Sequence, residues 1–260
     1  MDSENSTSQN MQSQAPAPRR WDWKYVTLSL IRHAQSVGNS NPQGTAHRQD
    51  ETLELTDIGK GQAERLGSRW ANVRINALYA SKFRRAKDTA QALAGANTSV
   101  HEFEESSLIG ERCIGSRAQL YLGTGQRDAY IQAVNNGANH PYVDRAYVPP
   151  GGGESLNVVN LRAKSMLLRI MDQHGANIDT VPEEYRVEDL HNLGSKLESD
   201  PEKLPDGIPH IVLVSHNVFL AEFYEMLLNW KKAEHTTTFT NFGNTGCNSP
   251  QVSPSHPMPL

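Results

Sequence analysis

Cysteine is nearly absent from this 260-residue chain, which has only Cys113 and Cys247. Two cysteines outside any metal-spaced cluster provide neither a disulfide framework nor a thiolate metal site. Long hydrophobic runs are missing as well: nothing approaches the ~18–20 apolar residues that span a bilayer as a helix. An excess of positive charge is also lacking. The formal net charge of −4 gives no footprint for nucleic acid or an anionic membrane, so any anion site must be a local concentration of basic groups. The N-terminal "MDSENSTSQNMQSQAPAPRR" has neither the basic start nor the apolar centre of a signal peptide. Its Ser, Gln, Asn and Pro cannot bury enough surface to order it, so residues 1–21 read as a disordered tail. The same holds for residues 246–260, which end in "CNSPQVSPSHPMPL". Between the tails, residues 22–245 suffice for one substantial α/β domain. The expected location is cytoplasmic.

Within that domain, apolar runs alternate with segments of helical period. "YVTLSLI" (Tyr25 to Ile31) is a candidate central strand. "LTDIGKGQAERLGSRWANV" predicts a helix capped by Thr56, with Ile58, Leu66, Trp70 and Val73 at roughly helical spacing. "NALYAS" predicts a short strand, with Ser81 as cap of the helix "KFRRAKDTAQALAG", which stops at Gly95. A glycine-rich turn, "PPGGGES", precedes a helix ending at His174-Gly175, and the dense strand "HIVLVS" (His210 to Ser215) leads into the helical "VFLAEFYEMLLNW". Continuous apolar strands between helices predict a mostly parallel sheet covered on both faces. Ligands of such sheets bind beyond the C-terminal strand ends. His33 and His216 both fall there.

On its own, Arg32-His33 fits a strand-end histidine bonded to backbone beside a surface arginine. The second strand-end histidine, His216, and the arginine pair Arg84-Arg85 at another strand-to-helix turn add a different possibility. Two imidazoles and strand-end guanidiniums describe a pocket for a tetrahedral, doubly charged group, which arginine binds well in bidentate fashion.

Six segments in this order resemble the histidine phosphatase superfamily, also called phosphoglycerate mutase-like. "LIRHAQSVGN" is similar to the family's RHG-type signature, with Ala34 where Gly is commoner. "LELTDIGKGQA" is similar to its L-x-L-T-x-x-G segment, and "YASKFRRAKDTA" to S-x-x-x-R-A-x-x-T-A, which singles out Arg85 over Arg84. "LIGERCIG" resembles the segment that bears the acid, here Glu111; "PPGGGESL" and "VLVSHNVFL" resemble the later G-E-S and second-histidine segments. The resemblance covers about residues 25 to 245. It implies a three-layer α/β/α sandwich with a mostly parallel central sheet.

The activity it implies is metal-independent hydrolysis of a phosphomonoester without a cofactor, acting on a small phosphorylated molecule in preference to a phosphoprotein. His33 would attack phosphorus, Arg32, Arg85 and His216 would cage the phosphoryl oxygens, and Glu111 would serve as general acid and then base. Nearby arginines would keep His33 neutral. Asn39 falls on a phosphate-contacting position of the family, although an Asn there can equally close an Asx-turn. Asn217 beside His216, where a smaller residue is commoner, would shape the phosphate pocket. Thr45 is a further candidate facing the substrate. Glu154 and Ser155 are expected to fix their loop and cap the next helix, Arg162 to lie on a solvated or half-buried face, and Cys113 to be a partly buried apolar residue. The remaining histidines have no ligand spacing. The segment between Glu111 and Glu154 is expected to form a lid that sets specificity. Three alternatives stay open: mutase-type phosphoryl transfer, a binding module without turnover, and a recruited member of the same fold.

Overall fold

From Ile211 to Val214 the chain offers no polar side chain, and a strand with no polar face must be covered on both sides. The computed structural model describes residues 24–116, 145–177, 204, 206–230, 232, 235–238 and 240–246. Its elements are, in chain order, β1 (Lys24–Tyr25), β2 (Thr27–Arg32), two one-turn helices α1 (Val37–Ser40) and α2 (Pro42–Thr45), a 3₁₀ turn (Asp50–Thr52), α3 (Asp57–Arg69), β3 (Ala77–Ser81), α4 (Arg84–Ala96), β4 (Glu104–Ser106), a 3₁₀ turn (Ser107–Ile109), α5 (Leu156–His174), β5 (Ala176–Asn177), β6 (His210–Ser215) and α6 (Asn217–Leu228). The tails expected at 1–21 and 246–260 lie outside the described residues except for Gly246, as do residues 117–144 of the expected lid.

The main sheet has the order β2-β6-β3-β4, and every pairing in it is parallel. β1 and β5 form a separate antiparallel clasp of two residues each. Alternation along β6 assigns its two faces. Ile211 and Leu213 join Tyr79 beneath α5 and α6, packed on Val159, Met166, Ile170, Phe219 and Phe223. Val212 and Val214 join Ile31, Leu78 and Ala80 beneath α3 and α4, packed on Leu66, Trp70, Ala90 and Leu93. Helices therefore cover both faces, giving the three layers expected. Burying one such aliphatic side chain contributes about 1.5–3 kcal/mol, so this central strand is a principal anchor of the core. No helix among the described residues is long and apolar enough to cross a membrane.

Most sequence-derived boundaries hold to within a residue or two. Thr56 caps α3 by accepting from Gly59 N at 3.0 Å, and Ser155 caps α5 by accepting from Val158 N. Ile58 departs from the expected apolar stripe and is 64% exposed, because it projects from the first turn away from the Ala63–Leu66 face. Ser81 does not cap α4. It is the last residue of β3, and the helix starts later, with Phe83 at the cap position, and runs past Gly95 to Ala96.

Gly59 explains one of the sequence segments physically. A Cβ built there would lie 2.0 Å from the backbone oxygen of Gln35, so the first turn of α3 presses directly on the loop that follows His33. Gly59→Ala must push that loop away. We expect a loss of about 1–3 kcal/mol in urea unfolding together with reduced activity; an unchanged midpoint would contradict this packing.

Candidate active site

The register of β2 on β6 pairs Arg32 with Ser215, and one more parallel bond follows, His33 N donating to Ser215 O at 2.9 Å. His33 and His216 consequently leave neighbouring strands at the same level. Their ring centroids are 5.0 Å apart, and both residues are buried. The hydrogen bonds assign their protons. Nδ1–H of His33 donates to Ala34 O at 2.7 Å, while Nε2 accepts from Arg85 Nε at 3.2 Å. His33 is thus a neutral imidazole with its lone pair on Nε2. Ser81 Oγ accepts from Phe83 N at 3.3 Å. With one lone pair so engaged, its O–H is placed to donate to His216 Nε2 at 2.8 Å, an assignment that puts the His216 proton on Nδ1.

That Nδ1 is buried with no partner among the described residues, and so is Nε of Arg32. Arg32 is held from its other end, Nη1 donating to Phe242 O at 2.8 Å. Buried donors are rarely left unpaired, and two beside one imidazole lone pair fit an anion that brings its own acceptor oxygens. Arg85, the second residue of α4, has a side chain only 6% exposed. Arg84 points outward toward Glu54 and Asp88, which separates the two arginines. Phe83 walls the site, its ring 4.8 Å from His216 and 4.9 Å from the Arg85 guanidinium carbon.

Glu111 approaches from the far side of β6. Its Oε1 accepts from Arg112 N at 2.9 Å and Phe219 N at 3.2 Å, and its Oε2 accepts from Val218 N at 3.4 Å. The carboxylate therefore sits at the N-terminus of α6, where backbone N–H groups favour negative charge. The loop carrying it is pinned from two directions. Ser215 Oγ donates to Ile109 O at 2.6 Å. Arg162 Nη1 donates to Leu108 O and Gly110 O at 2.7 and 2.9 Å, and its Nε and Nη2 grip both oxygens of Glu154. Arg162 is half-buried, the second of the two positions expected for it, and Nη2 also donates to Glu111 O at 3.4 Å; its guanidinium lies over the Phe219 ring.

The environment shifts each titrating group. Burial, then Arg85 and Arg32, lower His33 to about 3, against the upward pull of its bond to Ala34 O. His216 is held well below its ordinary value, first by burial and then by Arg85 and His33. Burial raises Glu111, opposed by the backbone N–H of Arg112 and by Arg85.

Other expected site residues stand at the margin. Asn39 Oδ1 accepts from Ser36 N and Oγ at 3.0 and 3.1 Å, reaching back to the cap residue of α1 as in a capping box and not forward as in an Asx-turn. Asn217 Oδ1 accepts from Phe242 N at 2.7 Å. Thr45 Oγ1 donates to Asn41 O. Cys113 is exposed where a partly buried residue was expected, since its loop turns outward after Glu111. Two contributors had no signal in the sequence. Asp50 takes both terminal nitrogens of Arg85. The segment Phe242–Thr245 buttresses the strand end, with Asn244 Nδ2 donating to His33 O and Thr245 N to Arg32 O. Thr245 has φ +51°, a costly conformation for a β-branched residue. No group of three or more His, Cys, Asp or Glu side chains able to hold a metal ion occurs among the described residues.

A family model described as histidine phosphatase superfamily (branch 1) matches residues 28–181. The chain belongs to that superfamily. Fructose-2,6-bisphosphatase TIGAR B of Danio rerio is 26% identical over 201 residues, covering 74% of this chain and 71% of that protein. A metal-independent phosphoserine phosphatase of Arabidopsis thaliana is 32% identical over 154 residues, covering 56% and 59%. The phosphoglycerate mutase structure from Bacillus anthracis str. Sterne shares the fold, with a TM-score of 0.53 at 17% identity over 86% of this chain and 88% of that one. Histidine phosphatase membership and relatives named as phosphatases make this chain a phosphoric monoester hydrolase by kinship.

The buried neutral histidine has a thermodynamic signature. The His33 value near 3 lies below the ~6.5 of a histidine in an unfolded chain. Its stabilisation is therefore complete above pH about 6.5 and is lost as pH falls toward 3. Between pH 6.5 and 4.5 this group alone should cost about 2–3 kcal/mol. Urea unfolding of His33→Gln should show that much less acid destabilisation than the wild type; equal losses would contradict a neutral His33.

Proposed function

We propose that the protein hydrolyses a small phosphomonoester without a metal ion, through a phosphohistidine on His33. The observation that carries this reading is the Nε2 lone pair of a neutral, buried His33 near two buried donors, Arg32 Nε and His216 Nδ1, that have no partner among the described residues. The lone pair attacks phosphorus as the bond from phosphorus to the ester oxygen breaks. Arg32, Arg85 and His216 bind the three equatorial oxygens, whose charge is what a phosphoryl-transfer site must stabilise. Glu111 gives its proton to the leaving oxygen, then takes one from the water that attacks the phosphohistidine and frees the imidazole. Burial supports the acid role by raising Glu111, and Oε2, with only the long contact to Val218 N, is the oxygen best able to carry the proton. Asn39 and Asn217 each have one amide oxygen engaged, so any contact they make to phosphate comes from the amide nitrogen.

The arrangement of charge favours hydrolysis over mutase-type transfer. Arg48 and Arg84 share Glu54, Arg145 is tied to Glu222, and Arg162 to Glu154. Among the described residues, these pairings leave Arg32 and the side edge of Arg85, whose outer end is held by Asp50, for a single phosphoryl group, whereas a mutase retains a phosphohistidine while binding a second phospho-acid. The relatives' names point to small substrates too, a sugar bisphosphate in one case and phosphoserine in the other.

Phosphate release over a panel of phosphorylated metabolites, with and without a chelator, tests the reading. We expect release by the wild type that the chelator leaves unchanged, none from His33→Ala, and a loss of about 10²–10⁴-fold in Glu111→Gln. The wild-type rate should fall as pH rises through the raised Glu111 value, and Glu111→Gln should lose that limb. Equal release by wild type and His33→Ala would overturn the proposal.

A further inference from the structure

Arginine presents five N–H donors on two usable edges: an end formed by Nη1 and Nη2, and a side formed by Nε and the other proton of Nη2. In Arg85 the end is fully taken. Nη1 donates to Asp50 Oδ1 at 3.0 Å and to Asp50 O at 2.7 Å, and Nη2 donates to Oδ2 at 3.0 Å. The side edge is the one turned to the nucleophile, with Nε 3.2 Å from His33 Nε2. The Asp50 side chain is 41% exposed and that of Arg85 6%, so the pair sits at the mouth of the site with the guanidinium inside. Asp50 comes from the 3₁₀ turn that bridges the loop after α2 to the loop before α3. Nothing in α4 itself holds the Arg85 side chain.

Extending the reading of this site as a phosphatase, we propose that Asp50 is the positioning residue of Arg85. The bidentate grip fixes the plane of the guanidinium and leaves its Nε edge facing the point where phosphorus must arrive. In the empty site that edge rests on the His33 lone pair; when the phosphoryl group enters, Nε–H and the free Nη2 proton pass to its equatorial oxygens. Asp50 need not move for this, because phosphate uses the side edge and the carboxylate uses the end. A carboxylate that instead stood in for phosphate would occupy the edge facing His33. The pair also offsets part of the positive charge that Arg85 brings beside two imidazoles.

The test is a double-mutant cycle with two readouts: turnover of a phosphomonoester hydrolysed by the wild type, and binding of orthovanadate, a mimic of the transferring phosphoryl group. Asp50→Ala should lower kcat by about 10- to 100-fold, as expected for a misplaced catalytic group, with KM changed less than 3-fold, and should weaken vanadate binding by a similar factor. In the Arg85→Ala background, Asp50→Ala should have no further effect on either readout. Asp50→Asn, which keeps the shape but only one acceptor oxygen, should fall between wild type and Asp50→Ala, and covers the case in which the alanine variant fails to fold. Wild-type kcat in both Asp50 variants, losses that persist undiminished when Arg85 is absent, or tighter vanadate binding in Asp50→Asn would overturn the proposal. A wild type that hydrolyses nothing on the panel would end the phosphatase reading, and the vanadate arm would still decide the role of Asp50.

Discussion

Parallel pairing of β2 with β6 is the constraint from which the site follows. Arg32 lies opposite Ser215, and the next rung, His33 N to Ser215 O, ends the ladder. One residue of slip would turn the whole apolar set of each strand to the wrong face, and it would also separate the two imidazoles. Register and site geometry are therefore fixed by the same side chains: Ile211 and Leu213 against one helical layer, Val212 and Val214 against the other. The stability of the core is what holds His33 and His216 at 5.0 Å.

Concentrating Arg32, Arg85 and two histidines in a buried place is unfavourable unless the charges are managed. The chain does so in three ways. Both imidazoles stay neutral, pushed down by burial and by the guanidiniums. Asp50 pairs with the outer end of Arg85. Glu111 is held on the α6 N-terminus by backbone N–H groups on a loop that Arg162 and Ser215 fasten. Arg32 Nε and His216 Nδ1, buried without partners among the described residues, are suited to a ligand with a dense shell of acceptor oxygens. With the Ser81 hydroxyl donating to its Nε2, the second histidine is assigned as a donor through Nδ1.

Much of this was legible because the strongest signals were continuous apolar strands ending in chemistry. "HIVLVS" followed by His216, and "TLSLI" followed by Arg32-His33, place three candidate residues at strand ends by local reading, although only the later segments gave them a chemistry. Arg85 could be chosen over Arg84 only through the resemblance of its segment to the family's, since both begin the same helix. Local reading failed where long-range partners decide. Ser81 has the composition of a helix cap but lies at the end of a strand facing His216. Arg162 falls on the half-buried face that its helix allowed, but nothing local foretold that it would fasten the Glu111 loop. Asp50 lies in a polar stretch, "RQDETLEL", with no periodicity, and only the return of α4 brings Arg85 to it. The lid expected between Glu111 and Glu154 lies largely outside the described residues, and with it the choice of substrate.

The central claim is that His33 Nε2 forms a bond to phosphorus. Rapid-quench mixing with a turned-over phosphomonoester, followed by digestion under alkaline conditions and mass spectrometry, reads that bond directly, because phosphohistidine survives base and is lost in acid. A phosphoryl group is expected on the peptide carrying His33, formed before the bulk of free phosphate and absent in His33→Ala. Turnover with no phosphorylated His33 at any time, or phosphate on another residue, would contradict it.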